Sequence, residues 1–226
     1  MNFRDIQDEI IALRFDESQR DRVKRWVQSR YAALWASDDW NFKRVLNANL
    51  TITGGSNTPT MLSDVASVES LYDQFGAPVP YVDPQDWRDV FNDPSETPTT
   101  QPYAYTIVAG QVYLGPTPSG STTFKISYSR RVSHLSGTTV TVGNLSADSD
   151  LPIWSVSPFS EYDYILVIDG MMLGQQLLND PTAYTLSGQR DDLFQAMKDD
   201  LVGETKGEVM GQWGGTLAWD ALHGGR

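Results

Sequence analysis

Catalysis by side chains needs a nucleophile with a base beside it, a matched acid and base, or a cluster of metal ligands. This chain is poor in all three. Its only histidines are His134 and His223, and there is no cysteine in 226 residues. A nucleophilic triad would need one of those histidines beside a serine and a carboxylate. No Gly-x-Ser-x-Gly turn is present to hold such a serine. His134 follows Arg130 and Arg131 after an expected strand and reads as a loop or interface histidine; His223 reads as non-catalytic. Without cysteine, disulfides and thiolate-bound metals are excluded, and two unrelated histidines make a poor zinc site. Asp148 with Asp150, and Asp191 with Asp192, are the carboxylate pairs that calcium would use. Neither pair sits in a twelve-residue loop with the required glycine and closing glutamate. Gly54-Gly55 is not followed by Gly-Lys-Ser/Thr, so it is no phosphate loop. Gly170, Gly174 and Gly188 do not make a dinucleotide fingerprint. With 29 acidic residues, a pair of carboxylates at glycosidase spacing carries no information. The expectation is a protein with no catalytic residues, no cofactor and no metal, and not an enzyme.

Aromatic residues are the other candidates. Trp26, Trp35, Trp40 and Trp87 could stack on sugars or bases, but Trp26 and Trp35 fall on the apolar face of a helix, where core packing is the ordinary role. Trp213 and Trp219 differ, because no periodic pattern surrounds them. Together with Leu217 and Leu222 they stud a stretch after Gly203 that holds six glycines in twenty-three residues. Such a stretch has too little pattern to fold alone, and buried aromatic anchors dominate interface energetics. Trp213, Leu217, Trp219 and Leu222 are therefore the expected partner-binding residues, on a flexible C-terminal arm spanning 204–226.

The elements that must carry these residues follow from periodicity. Ile6, Ile10 and Leu13 share one face of a first helix. Ser18 is placed to cap a second, whose apolar face is Val23, Trp26, Val27, Tyr31, Leu34 and Trp35, with Arg20, Lys24, Arg25 and Gln28 on the other side. Leu50 to Thr53 alternates as a strand does. Val65 to Phe75 alternates poorly and reads as strand in preference to short helix. Asp86 to Phe91 reads as one short helix. Tyr103 to Val108, Gln111 to Leu114 and Thr122 to Tyr128 are clear strand signals, and Thr138 to Val142 is a weaker one. Helices return with Ser160 as an expected cap for a helix reaching Leu178, and with a last helix from Pro181 to Leu201 or Val202. Asp169 interrupts the apolar run from Ile165 to Ile168. If buried it needs a partner, for which Arg14, Arg22 and Arg25 are candidates; facing solvent is the alternative. Helices, then strands, then helices indicate an α+β protein. The expected form is a helical bundle made by the N- and C-terminal helices (1–48 and 157–203) with an inserted antiparallel β region (49–156).

Bulk properties narrow the partners. The net charge is −12, but residues 1–48 carry nine Lys/Arg against eight Asp/Glu, so the remainder, with eight against twenty-one, holds all of the acidic excess. An acidic body does not suit tight binding of nucleic acid, which depends on neutralising phosphates. The opening Met1–Asp5 has no basic stretch followed by an apolar run, so no signal peptide is expected. The longest apolar run, Tyr164 to Leu173, is interrupted by Asp169 and Gly170, and a span needs about 20 apolar residues.

Three stretches, in order, resemble the head-to-tail adaptor proteins of tailed phages, also called head-completion or connector proteins. The first is Val23–Tyr31 followed by Trp40-Asn41-Phe42. The second is Pro102–Tyr105 leading through Val112–Pro118 to Phe124–Tyr128. The third is Leu151-Pro152-Ile153-Trp154 ahead of the helix around Ile165 to Leu178. The segment Pro84–Thr100 and everything beyond Gly203 have no counterpart in that pattern. The resemblance implies a structural virion protein in the neck between head and tail, assembled in the host cytoplasm. It implies a homo-oligomeric ring, commonly of twelve subunits, that binds the portal protein and the next tail or neck component. Genomic DNA would pass through without specific binding, and the acidic excess would let it slide. The alternative from the residues is a carbohydrate- or surface-binding module of a tail or cell-wall complex, with exposed aromatics on the β region.

Overall fold

The computed structural model describes residues 1–91, 101–155, 159–180, 182 and 185–202. Helix α1 (Phe3–Arg14) starts at a capping box: the Asn2 side chain accepts from the Asp5 N–H, and the Asp5 carboxylate accepts from the Asn2 N–H. It buries Phe3, Ile6, Gln7 and Ile10, whereas Leu13 is 48% exposed. The apolar face therefore runs from Phe3, not towards Leu13. Ser18 does not cap the next helix. It lies in a 3-10 turn (Glu17–Gln19) in front of α2 (Arg20–Ser37), where no side chain caps the first turn. Helix α2 buries Val23, Trp26, Val27, Tyr31, Leu34 and Trp35, as its period requires.

Strand β1 (Arg44–Ile52) begins earlier than the alternation at Leu50 suggests. It pairs antiparallel with β5 (Thr122–Arg130), which also pairs with β2 (Val65–Tyr72), so β5 is the central strand of three. Between β2 and β5 come α3 (Pro84–Val90) and the hairpin of β3 (Ala104–Val108) and β4 (Gln111–Gly115). Leu50, Ile52, Val65, Leu71, Tyr105, Val112, Leu114, Phe124, Ile126 and Tyr128 close into one core between this sheet and the hairpin. A third small sheet has β6 (Ser133–Ser136) between β7 (Thr139–Val142) and β8 (Asp150–Pro152). A 3-10 turn (Phe159–Asp163), which contains Ser160, leads into α4 (Tyr164–Leu177); α5 (Ser187–Leu201) follows, starting later than the expected Pro181.

The α+β class holds, but the expected architecture does not: the terminal helices are not a plain bundle with one β region inserted. Among the described residues there are five α-helices, one of them within the β-rich centre, and three small antiparallel sheets. The sheet β7-β6-β8 builds into the helical core. Leu145, Ile153 and Trp154 share a cluster with residues of α1, α2 and α4, and Val132 and Val140 pack against it. Strands of three or four residues cannot bury enough surface by themselves, so they complete their packing on the helices. Tyr31 fixes this junction, its buried hydroxyl donating to the Ser133 carbonyl and accepting from the Ile153 N–H at 3.2 Å.

Helix α4 is the centre of the helical part. Its Gly170 lies against Ile10 and Val27, and its Gly174 against Trp26 and Phe15. These glycines let α1 and α2 approach the α4 backbone closely.

Candidate assembly surface

The residues that could do chemistry are used for structure. His134 is not in a loop: it lies in β6 and is 5% exposed. Its Nδ1 is 3.1 Å from the Gly143 carbonyl and its Nε2 is 3.4 Å from Asp150. Ser146 gives its hydroxyl to Asp150 at 3.2 Å instead of to the imidazole, so the three do not have the relay order that activates a serine. Burial pushes the Asp150 carboxyl up, but the backbone N–H groups of Ser146 and Ala147, with His134 nearby, outweigh it and leave the carboxyl below its usual range. Asp150 thus closes the 146–150 turn, and Asp148, exposed, pairs with Arg4. Among the described residues no group of three or more His, Asp or Glu stands close enough to hold a metal. His223 lies outside the described residues.

Asp169 is buried, and its partner is none of the three arginines expected. Arg190 from α5 donates to it at 3.1 Å while its guanidinium lies 4.4 Å from the Phe194 ring centroid. Arg14 instead donates to Thr182.

The tryptophans within the described residues also serve packing. Trp26, Trp35 and Trp40 are buried, and Trp40 donates its indole N–H to the Leu34 carbonyl at 2.7 Å. Trp87 and Phe91 lie over the Gly115 backbone, where a Cβ would come within 2.7 Å of the Trp87 ring. The expected partner-binding residues, Trp213, Leu217, Trp219 and Leu222, lie outside the described residues.

What remains is surface. The face of the β1-β5-β2 sheet turned away from its core carries a shallow groove of about 440 Å³ lined by Leu46, Asn47, Glu69, Tyr72 and Lys125, among others. Beside it Phe75 is 78% exposed at the tip of a turn. That turn is built. The Asp73 carboxylate accepts from the N–H groups of Phe75 and Ala77, and Gly76 takes a φ of +87° that other residues rarely adopt. Tyr81 and Tyr103 are also more than half exposed. Phe75 carries no periodic signal, and the Asp-x-Phe-Gly turn signature at 73–76 is the one feature of the sequence that points to it. On the helical part, Leu177 and Leu178 stand out at the end of α4. Singly exposed apolar side chains are ordinary on a protein surface, and these offer contact area and no reacting group.

A family model described as SU10 adaptor protein matches residues 1–217. The chain belongs to that family. No curated protein matches the sequence. Members of the family are structural adaptor proteins of bacteriophage virions, not enzymes of a known class.

Proposed function

We propose that this SU10 adaptor family member is a ring-forming head-to-tail adaptor, bound to the portal protein on one side and to the next neck or tail component on the other. The observation that carries this reading is the family match across residues 1–217. On this reading the subunit sits in the neck of the virion, is made in the host cytoplasm, and joins a ring of twelve copies. The genome passes through the ring, and the acidic excess outside residues 1–48 favours its sliding, since carboxylates near the path repel phosphate. No helix among the described residues is long and apolar enough to cross a membrane.

Attachment to the portal is assigned to residues 204–226, with Trp213, Leu217, Trp219 and Leu222 as its anchors. Large apolar side chains in a glycine-rich stretch gain most by burial in a neighbouring subunit. The test is a chain truncated after Gly203, mixed with purified portal and weighed by light scattering. A folded, truncated subunit that no longer adds mass to the portal is the expected result; normal attachment refutes the assignment.

Exposed Phe75, Tyr81 and Tyr103 on the β region favour one competing reading, a carbohydrate-binding module, because ring faces also stack on sugars. Titrating intrinsic fluorescence with host glycans decides between them. The adaptor reading expects no saturable change, and a saturable one would transfer the assignment to glycan binding.

A further inference from the structure

The two outer helices of the helical part carry opposite charge on the sides they turn to solvent. On α2 the outward stripe is Arg22, Arg25, Ser29 and Ala33, spaced i, i+3, i+7 and i+11, all exposed. Neither Arg22 nor Arg25 has an ion-pair partner among the described residues, although acids are abundant in this chain. On α5 the outward stripe is Gly188, Asp192, Gln195 and Asp199, spaced i, i+4, i+7 and i+11, again all exposed. The cations of α5 are both committed elsewhere: Arg190 to Asp169 and Asp191, and Lys198 to Asp38 at 3.1 Å. This leaves the outer face of α5 acidic, as the outer face of α2 is basic.

Within one subunit these stripes do not neutralise each other. Helix α4 stands between them, meeting α1 and α2 through Gly170 and Gly174 and meeting α5 through Asp169. Successive residues on a helix are turned by about 100°, so Asp169 and Gly170 send α5 and the α1–α2 pair to different sides of α4, and among the described residues no ion pair joins Arg22 or Arg25 to Asp192 or Asp199.

We propose that the α2 face of one subunit docks on the α5 face of the next copy of this chain, Arg22 and Arg25 against Asp192 and Asp199. The occupant is a second copy because the chain itself supplies the complementary surface. Two different patches on one subunit make a head-to-tail contact, which closes into a ring when the rotation permits. Ser29 and Ala33, small and next along the stripe, let the partner helix come close. The inference rests on the adaptor reading and deepens it by naming the ring contact.

The test uses two full-length variants, Arg22→Glu with Arg25→Glu, and Asp192→Lys with Asp199→Lys, each incubated with purified portal and weighed by light scattering. Circular dichroism and melting temperature should match wild type, because the altered side chains are exposed. Each variant alone should assemble on the portal at least tenfold less than wild type. Mixed one to one they should assemble again, in alternation, since each supplies the face the other has lost. Undiminished assembly of either variant, or a mixture of folded variants that stays unassembled, overturns the docking proposal while leaving the adaptor reading in place. Wild type failing to add mass to the portal would sink the adaptor reading, and this inference with it.

Discussion

Gly174 offers a sharp test of the helical core because two effects of known sign oppose each other there. Replacing a glycine inside a helix by alanine ordinarily stabilises by about 0.5–1 kcal/mol. At Gly174 the new Cβ would lie 2.5 Å from Cζ3 of Trp26 and 2.8 Å from Cζ of Phe15. Those rings already pack together, with centroids 5.2 Å apart, so neither can retreat without disturbing the other. Overpacking of this kind costs about 1–3 kcal/mol. The overpacking term wins, and Gly174→Ala should destabilise by about 1–2 kcal/mol net. Gly188→Ala, at a site with nothing within 4 Å, should be neutral or slightly stabilising. At Gly170 the nearest atom is the flexible tip of Ile10, so Gly170→Ala should fall between the two. Urea unfolding followed by tryptophan fluorescence reads the difference. With a slope of about 2 kcal/mol/M, the Gly174→Ala midpoint should drop by about 0.5–1 M. A midpoint at or above wild type would refute the close approach of α2 to α4 at this glycine.

Three further outcomes are expected. Tyr31→Phe leaves the buried Ser133 carbonyl and Ile153 N–H without their shared partner, and thermal melts should show a loss of about 1–3 kcal/mol. Arg190→Met leaves the Asp169 carboxylate buried without its cation. Because Arg190 is partly exposed the expected loss is about 1–2 kcal/mol, read by urea midpoint, and Asp169→Asn made on top of it should restore part of that loss. The Asp150 carboxyl is held below its ordinary range in the folded chain, so its contribution is full above about pH 4 and fades as pH falls through the folded value. Asp150→Asn should therefore be less stable than wild type at pH 7, with the gap narrowing in melts taken progressively below pH 4.

What was legible in the sequence was whatever repeats over several turns or alternates over several residues. The α2 face emerges whole, because six apolar side chains at helical spacing leave little choice. Phe124, Ile126 and Tyr128 likewise identify the inward side of β5. What escaped was set by contacts distant in sequence. Strands β6 and β8 are too short to have a pattern and form only because the helices receive Leu145, Ile153 and Trp154. That is also why a bundle with one inserted β region was the wrong architecture. His134 read as a loop residue because its two partners, Gly143 and Asp150, come from a turn and a strand that the sequence does not announce. Asp169 pairs with Arg190 and not with Arg14, Arg22 or Arg25, because proximity of α5 to α4 cannot be counted from residue numbers. Ser18 looked like a cap, but the 3-10 turn carried the chain past it before the helix began. Composition alone marks Trp213, Leu217, Trp219 and Leu222 as candidate anchors, whereas Phe75 stands out only through the geometry of its turn.

The pairing of β1 with β5 has a consequence for how such a protein can vary. Arg44 faces Ser129 and Val45 faces Tyr128, at a spacing of about 4.5–5.5 Å typical of antiparallel neighbours. The path from the helices into the first β core and the path back out are thus side by side. Everything hung between those two points is a cassette with a narrow neck, latched by Asp64, which accepts from Tyr128, Arg130 and the Arg131 N–H. A cassette held that way can be lengthened, reshaped or exchanged without rerouting the helices that carry it. Members of the family can in this way differ within the cassette while keeping the same helical part.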